Sequence, residues 1–331
     1  MLQLWGYFLL TIAGAFLLTP LIRRLAQRLK IFARHSDRTL HQGLIPKLGG
    51  AAILLPFYFF SALLMFTNRQ VFAGYFPMFI TLLAGSFILF LLGALDDKYD
   101  INCYIKITVE VLIAALAVNA GWRIDTLVLP AALQLQLGAL SWPLSILWIT
   151  GIINAVNLID GLDGLAPGII IIVCLTSAAI ASVLGNMPIV FITLLLAGAV
   201  LGFLRFNINP ASIFMGDAGS LSLGFLLACL SLKAAETSAG KVVFIIPLLL
   251  LGIPIADTFL AIIRRVRRHM HPFHADQDHL HHRLVRLGLS QAGAAMTLVG
   301  ISLLLGIMAL LFAQGIHTEM QLFSMVKSWI H

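Results

Sequence analysis

An all-α polytopic membrane protein of about ten transmembrane helices is the fold class this sequence predicts, and three observations predict it. Only 11% of the 331 residues are charged, where a soluble domain carries about a quarter. Hydrophobic residues make up 60% of the chain, and its mean hydropathy is +1.00. The apolar residues are gathered in windows of about 20, the length a helix needs to cross the hydrocarbon core.

Taken in order, the windows run over roughly 4–22, 48–66, 75–95, 103–119, 139–158, 164–184, 188–206, 218–235, 242–263 and 292–315. The first ends at Arg23 and Arg24, the second lies between Lys47 and Arg69, and the third stops at Asp96 and Asp97. The fourth is interrupted by Lys106 and Glu110. The fifth runs up to Asp160, and the sixth and seventh follow it with only a short break. The eighth begins just past Asp217, and the ninth is bounded by Lys241 and by Arg264 and Arg265. Residues 316–331 are too short and mixed to span again. No basic stretch precedes the first window, so it is expected to stay attached rather than be cleaved. Cys103, Cys174 and Cys229 lie in or at apolar segments and suggest neither a disulfide framework nor a metal site.

If the segments alternate, loops 23–47, 96–102, 159–163, 207–217 and 264–291 share one side. The first of these carries seven Lys or Arg and the last carries six, whereas the opposite loops carry Arg69, Arg123 and Lys241. The excess of positive charge makes the first set cytoplasmic and, with an even helix count, leaves both termini outside. Topology thus accounts for a net charge of +7, to which anionic headgroups or substrates can add a reason. No internal repeat or low-complexity segment is visible.

Acidic groups are costly at membrane depth and mark function where they occur. Eight of the fourteen fall on the basic side in four groups: Asp96, Asp97 and Asp100; Asp160 and Asp163; Asp217; Asp276 and Asp278. Asn154, Asn157, Asp160 and Asp163 recur every three residues, which on a helix lets them line one cavity. The plainer alternative is a polar helix end with a turn at Asp160-Gly161. Asp96 and Asp97 diverge if the backbone is regular, so that one can hold a metal while the other meets substrate; a solvated loop is the bland alternative. Asp217 stands between glycines before an apolar run, suited to close approach of a ligand or to a helix N-cap.

Residues 271–284, HPFHADQDHLHHRL, hold five of the ten histidines. The spacing of His279, His281 and His282 matches no recognised zinc framework. Six His and six Lys or Arg across 264–286 suit a polyphosphate better. Carboxylate oxygens without thiolates suit a hard cation such as magnesium or manganese. Together these features describe phosphoryl transfer at a membrane surface, with a lipid as one substrate. A cation-coupled transporter is the competing class, although its carboxylates should lie near mid-bilayer in repeated halves.

HQGLIPKLGG (41–50), LGALDDKYDI (92–101), NAVNLIDGLDGLA (154–166), FMGDAGS (214–220) and HPFHADQDHLHHRLVRLGLS (271–290) resemble, in order, the signatures of the polyprenyl-phosphate N-acetylhexosamine-1-phosphate transferases, the MraY/WecA-like family. HQGLIP and the interrupted histidine pattern are most similar to the WecA-type members, which use GlcNAc. The resemblance implies a single integral membrane transferase domain over 1–331 with periplasmic termini and an active site at the cytoplasmic face of a bacterial inner membrane. It implies transfer of GlcNAc-1-phosphate from UDP-GlcNAc to undecaprenyl phosphate with release of UMP, using Mg2+ or Mn2+. A family member using another UDP-N-acetylated sugar is the alternative.

The same resemblance implies roles. Asp217 is the first metal ligand, with Asp96 or Asp97 helping to hold the metal or acting on the lipid phosphate. Asn157, Asp160 and Asp163 match the segment that binds the nucleotide and organises the site. His279, His281 and His282, with Arg264, Arg265 and Asp276, match the loop that binds the donor, and Lys47 and His41 could meet the lipid phosphate. Asp96, Asp97, Asp160, Asp163 and His279 are the catalytic candidates. Direct in-line displacement and a two-step route through an aspartyl-phosphate both remain open. The lipid bilayer, a homodimer and downstream glycosyltransferases are the further expected partners; nucleic acid is not.

Overall fold

Twelve helices and three short strands are formed by the described residues of the computed structural model, which are 2–33, 45–128, 133–267 and 279–330, with side chains described for those between 3 and 318. The helices are α1 (Leu2–Arg28), α2 (Gly49–Thr67), α3 (Phe76–Tyr99), α4 (Cys103–Asn119), α5 (Ser141–Ile159), α6 (Leu165–Val183), α7 (Met187–Asn207), α8 (Gly216–Ala234), α9 (Ile245–Leu250), α10 (Gly252–Arg267), α11 (Leu280–Arg286) and α12 (Gln291–Ile330). In hydrocarbon every backbone group must be satisfied within the segment, and the helix does this. Local signals set the boundaries. Pro77 and Pro188 sit in the first turns of α3 and α7, where a missing N–H is harmless. Asn102 caps α4 by accepting from Tyr104 N at 2.9 Å.

Among the described residues, eight helices are long and apolar enough to cross a membrane: α1, α2, α3, α5, α6, α7, α8 and α12. Large apolar side chains such as Leu9, Leu17, Phe59, Phe66 and Leu304 face outward, as expected where lipid is the solvent. The fold is that of a polytopic membrane protein, with two of the ten expected spans built differently. The fourth, α4, has only 17 residues. The ninth is broken at Leu251 into six-residue α9 and amphipathic α10, in which Asp257 and Arg265 turn inward while Phe259, Ile262 and Val266 stay exposed. A third difference lies at the C-terminus, where α12 continues through residues expected to lie beyond the last span, as far as Ile330.

α8 is the central helix: 89% of its apolar window is buried, against 22% for α1. It packs against α2, α3, α5 and α6. Its small residues, from Gly216 through Ala218, Gly219, Ser220 and Ser222 to Gly224, allow neighbouring backbones to come close. The tightest approach is at Gly93 of α3, where a Cβ would run into Asp217 O and Ala218 N. Gly93→Ala is therefore expected to lower stability by about 1–3 kcal/mol through overpacking, read as a lower thermal midpoint in detergent. Gly151→Ala, with nothing within 4 Å of its Cβ, is the matched control; equal midpoints would count against the α3–α8 contact.

β1 (Thr126–Val128) pairs antiparallel with β2 (Gln134–Gln136), Leu127 opposite Leu135, and parallel with β3 (Val242–Val243), Leu127 opposite Val242. This sheet marks the end of the bundle where α3 begins, since Trp122 between α4 and β1 donates from Nε1 to Met78 O at 2.9 Å. Asp96 and Asp97 lie at the other end of α3.

Candidate functional site

At that other end is a cavity of about 420 Å3. Each of the five loops assigned to the basic side contributes to its wall: Ala33; Asp96, Asp97 and Asp100; Asp160 and Asp163; Phe214 and Asp217; His282 and Gln291. Lys47, Lys106, Asn157 and Asn207 complete the polar lining.

Lys47 is placed by backbone pairing between two segments far apart in sequence. Phe214 N donates to Pro46 O at 2.9 Å, Gly49 N to Phe214 O at 2.9 Å and Gly50 N to Met215 O at 2.8 Å. The pairing sets Lys47 beside the start of α8, with Nζ 3.3 Å from Asp97 Oδ1. Asp97 in turn accepts from Asp217 N at 3.0 Å and Ala218 N at 3.1 Å. These are first-turn amides with no partner inside the helix, at the positive end of its dipole. The anion site expected for a ligand at this helix end is thus taken by Asp97 itself. Gly216 is required twice over: its φ is 74°, and a Cβ there would strike Asp97 Oδ2. Asp217 is in the first turn, and the N-cap position belongs to Met215.

Asp96 accepts from Ile101 N at 2.7 Å and from Lys106 Nζ at 2.6 Å, and it shares a side-chain hydrogen bond with Asp217. Asn157 Nδ2 donates to Asp217 Oδ1 at 3.0 Å and Ser220 Oγ at 2.7 Å. Asp217 and Asp96, whose carboxyl groups meet here, are the residues that could hold a hard divalent cation. No group of three His, Cys, Asp or Glu able to hold a metal forms among the described residues.

The three-residue repeat in 154–163 is only partly realised. Asn157, Asp160 and Asp163 line the cavity. Asn154 does not, since its Nδ2 donates to the buried Glu110 Oε2 at 2.5 Å and to Thr150 O at 2.9 Å. The helix ends at Ile159, so Asp160 and Asp163 are placed by a turn rather than by helical spacing. Asp163 accepts from Asn209 Nδ2 at 3.1 Å and Ala211 N at 3.0 Å, which ties this turn to the segment entering α8.

Burial, and then the Asp217 charge, push the Asp160 carboxyl from 3.8 up to about 7, against a smaller opposing pull from Lys47. Burial alone would lower Lys47, but Asp97, with Asp217, outweighs it and holds the ammonium above its ordinary value. Because folded Asp160 holds its proton more tightly than the unfolded residue, its contribution to stability is complete below about pH 4. That contribution is lost as pH rises through about 7. Asp160→Asn is thus expected to raise the thermal midpoint relative to the native chain more at pH 8 than at pH 5; a pH-independent difference would sink this reading.

Of the histidines, His282 lines the cavity, and its ring lies 4.2 Å from that of His281. His281 is 2% exposed, and among the described residues neither of its ring nitrogens has a hydrogen-bond partner. Burial first, then His282 and His279, lower it to about 4, so it is neutral at physiological pH. His279 Nδ1 lies 2.7 Å from Asp257 Oδ2. Arg264 and Arg265 sit in the last turn of α10 and are not among the lining residues. His41 and Asp276 lie outside the described residues. Sequence reasoning passed over Lys106, Asp257, Asn207 and Asn209. An acid within an expected span was the available signal for Asp257. Asn207, which accepts from Gly164 N and donates to Ile213 O, each at 3.0 Å, gave none.

Residues 79–235 match the family model described as Glycosyl transferase family 4. The chain is 34% identical over 314 residues, 94% of its length and 85% of the relative's, to the probable undecaprenyl-phosphate N-acetylglucosaminyl 1-phosphate transferase of Bacillus subtilis. It is 32% identical over 295 residues, 81% of this chain and 72% of the other, to the decaprenyl-phosphate N-acetylglucosaminephosphotransferase of Mycobacterium tuberculosis. To the undecaprenyl-phosphate alpha-N-acetylglucosaminyl 1-phosphate transferase of Escherichia coli K12 it is 27% identical over 319 residues, 93% and 81% of the two chains. With the relatives aligned over nearly the whole membrane bundle and the acidic cavity inside it, this chain belongs to the polyprenyl-phosphate N-acetylhexosamine-1-phosphate transferase family and is a phosphoglycosyltransferase.

Proposed function

We propose that the enzyme transfers GlcNAc-1-phosphate from UDP-GlcNAc to undecaprenyl phosphate, forming undecaprenyl-diphospho-GlcNAc and UMP, at the cytoplasmic face of a bacterial inner membrane. Both termini are then periplasmic, and the product starts a cell-envelope polysaccharide such as an O antigen or common antigen. The observation that carries this reading is the cavity at one end of a membrane-length bundle, where Lys47 and Lys106 face Asp96, Asp97, Asp160 and Asp217. The activities for which the relatives are named agree with it. An apolar groove of about 610 Å3 between α5 and α9–α10, lined by Trp148, Ile152, Phe244 and Phe259 among others, suits a prenyl chain.

In this reading an oxygen of the lipid phosphate attacks the sugar-bearing phosphorus of the donor, and UMP leaves with its electron pair. Lys47 and Lys106 place positive charge where two phosphate groups must approach each other. Asn157 and Asp96 hold Asp217 in a single orientation. Mg2+ or Mn2+, held by Asp217 with Asp96, would supply charge neutralisation on the donor diphosphate. Transport is not favoured, because the carboxylates gather at one end of the bundle.

The test is UMP release from purified protein in detergent, supplied with undecaprenyl phosphate, Mg2+ and a panel of UDP-sugars. UMP is expected with UDP-GlcNAc and lost on chelation. Release only with another N-acetylated sugar would keep the family and replace the donor; release without added divalent cation after chelation would remove the metal.

A further inference from the structure

Asp257 lies on α10, is 1% exposed and is not among the residues lining the cavity, yet both of its oxygens are directed at the histidine segment. Oδ2 is 2.7 Å from His279 Nδ1, and Oδ1 accepts from Leu280 N at 2.7 Å. We propose that Asp257 is a positioning residue of the transfer site, which sets the tautomer of His279 and fixes the first turn of α11 so that His282 is presented to the cavity. The proposal rests on the transferase reading given above.

The chemistry leaves little latitude. An ionised carboxylate only accepts, so the ring nitrogen facing it must carry the proton. Nδ1–H therefore points at Asp257, and in the neutral ring Nε2 is the nitrogen with the lone pair. Leu280 N belongs to the first turn of α11 and has no acceptor inside that helix; Asp257 supplies one from another helix. A single buried side chain thus fixes both the rotation of one ring and the start of the element bearing the next two. The His279 and His281 rings lie 5.8 Å apart and within 5° of parallel, and His282 follows at 4.2 Å from His281. A misplaced first ring is passed to the one in the cavity wall.

Asn cannot replace Asp here. It has the same shape but one donor and one acceptor. If its oxygen keeps Leu280 N–H, its amide nitrogen faces His279 Nδ1, which must then accept, and the proton moves to Nε2. If its oxygen keeps His279, two N–H groups meet at Leu280. Glu retains two acceptors on a longer stem.

The experiment measures UMP release against donor concentration for the native enzyme, Asp257→Asn, Asp257→Glu, His279→Gln and the Asp257→Asn/His279→Gln double variant. Asp257→Asn is expected to lose about 10–100-fold in kcat/KM for the donor, with an unchanged KM for the lipid phosphate and partial recovery in Asp257→Glu. In the His279→Gln background, Asp257→Asn is expected to add no further loss. Native-like turnover by Asp257→Asn, or losses that multiply in the double variant, would overturn the proposal while leaving the transferase reading intact. If Asp257→Asn does not fold, the same cycle is run with Asp257→Glu, and multiplying losses again decide against it. An enzyme that releases no UMP would sink the transferase reading instead. The tautomer is then still tested by the 15N-histidine spectrum, with His279 assigned by its disappearance in His279→Gln. Protonation at Nδ1 in the native chain is expected, and protonation at Nε2 would overturn the proposal.

Discussion

Asp217→Asn is expected to fold like the native protein and to release UMP about a thousand-fold more slowly or worse. The fold survives because asparagine keeps the shape of the side chain and can keep its hydrogen bonds. Its oxygen can still accept from Asn157 Nδ2, now at 3.0 Å, and its amide can donate to Asp96, the partner in the present carboxyl pair. What disappears is a negative charge and an oxygen that could hold a divalent cation beside Asp96. No rearrangement of neighbours restores either. The measurement is steady-state UMP release beside a thermal melt, with Asp125→Asn at the far end of the bundle as a control expected to retain native turnover. Asp125 pairs with Arg123 at 2.9 Å and lies away from the cavity. Retention of more than a tenth of native activity in Asp217→Asn would remove this residue from the reaction.

Asp97→Ala is expected to behave differently, losing stability and activity together. Its carboxylate accepts from two first-turn amides of α8 and pairs with Lys47, and its side chain is fully buried, as the figure of 0% exposure in the ion pair indicates. Removing it leaves two donors and an ammonium facing a void at the start of the central helix. Each such charge-assisted bond contributes about 1.5–3 kcal/mol, so the loss should be about 3 kcal/mol or more, read as a fall in the thermal midpoint. Turnover falls because Asp217 sits on the turn that has lost its anchor. A nucleophile forming an aspartyl-phosphate predicts instead a loss of turnover far out of proportion to the fall in the midpoint. The two measurements on one variant therefore separate an anchoring carboxylate from a nucleophilic one.

The errors of the sequence reading have physical causes. A window of about 20 apolar residues identifies a span only if the helix is straight and turns its apolar side to lipid. The ninth window satisfied the average while hiding a break at Leu251 and an inward-facing Asp257. Lys106 and Glu110 looked like interruptions of the fourth span, and both are satisfied across the bundle, by Asp96 and by Asn154. The repeat from Asn154 to Asp163 was projected onto one helix, and the chain leaves that helix at Ile159.

By itself, the sequence determined the solvent, the helical class and the gathering of the charged loops at one end of the bundle. These depend on composition and on spacing within single segments, which local hydrophobicity and charge control directly. Tertiary structure decided which carboxylate does what. Asp96 and Asp97 are adjacent in the chain, yet one meets Lys106 and Asp217 while the other holds the amides of α8. Asp257 reaches His279 from 22 residues away. The role of a carboxylate follows from the donors around it, and in this bundle those donors arrive from other helices, so no local pattern could record them.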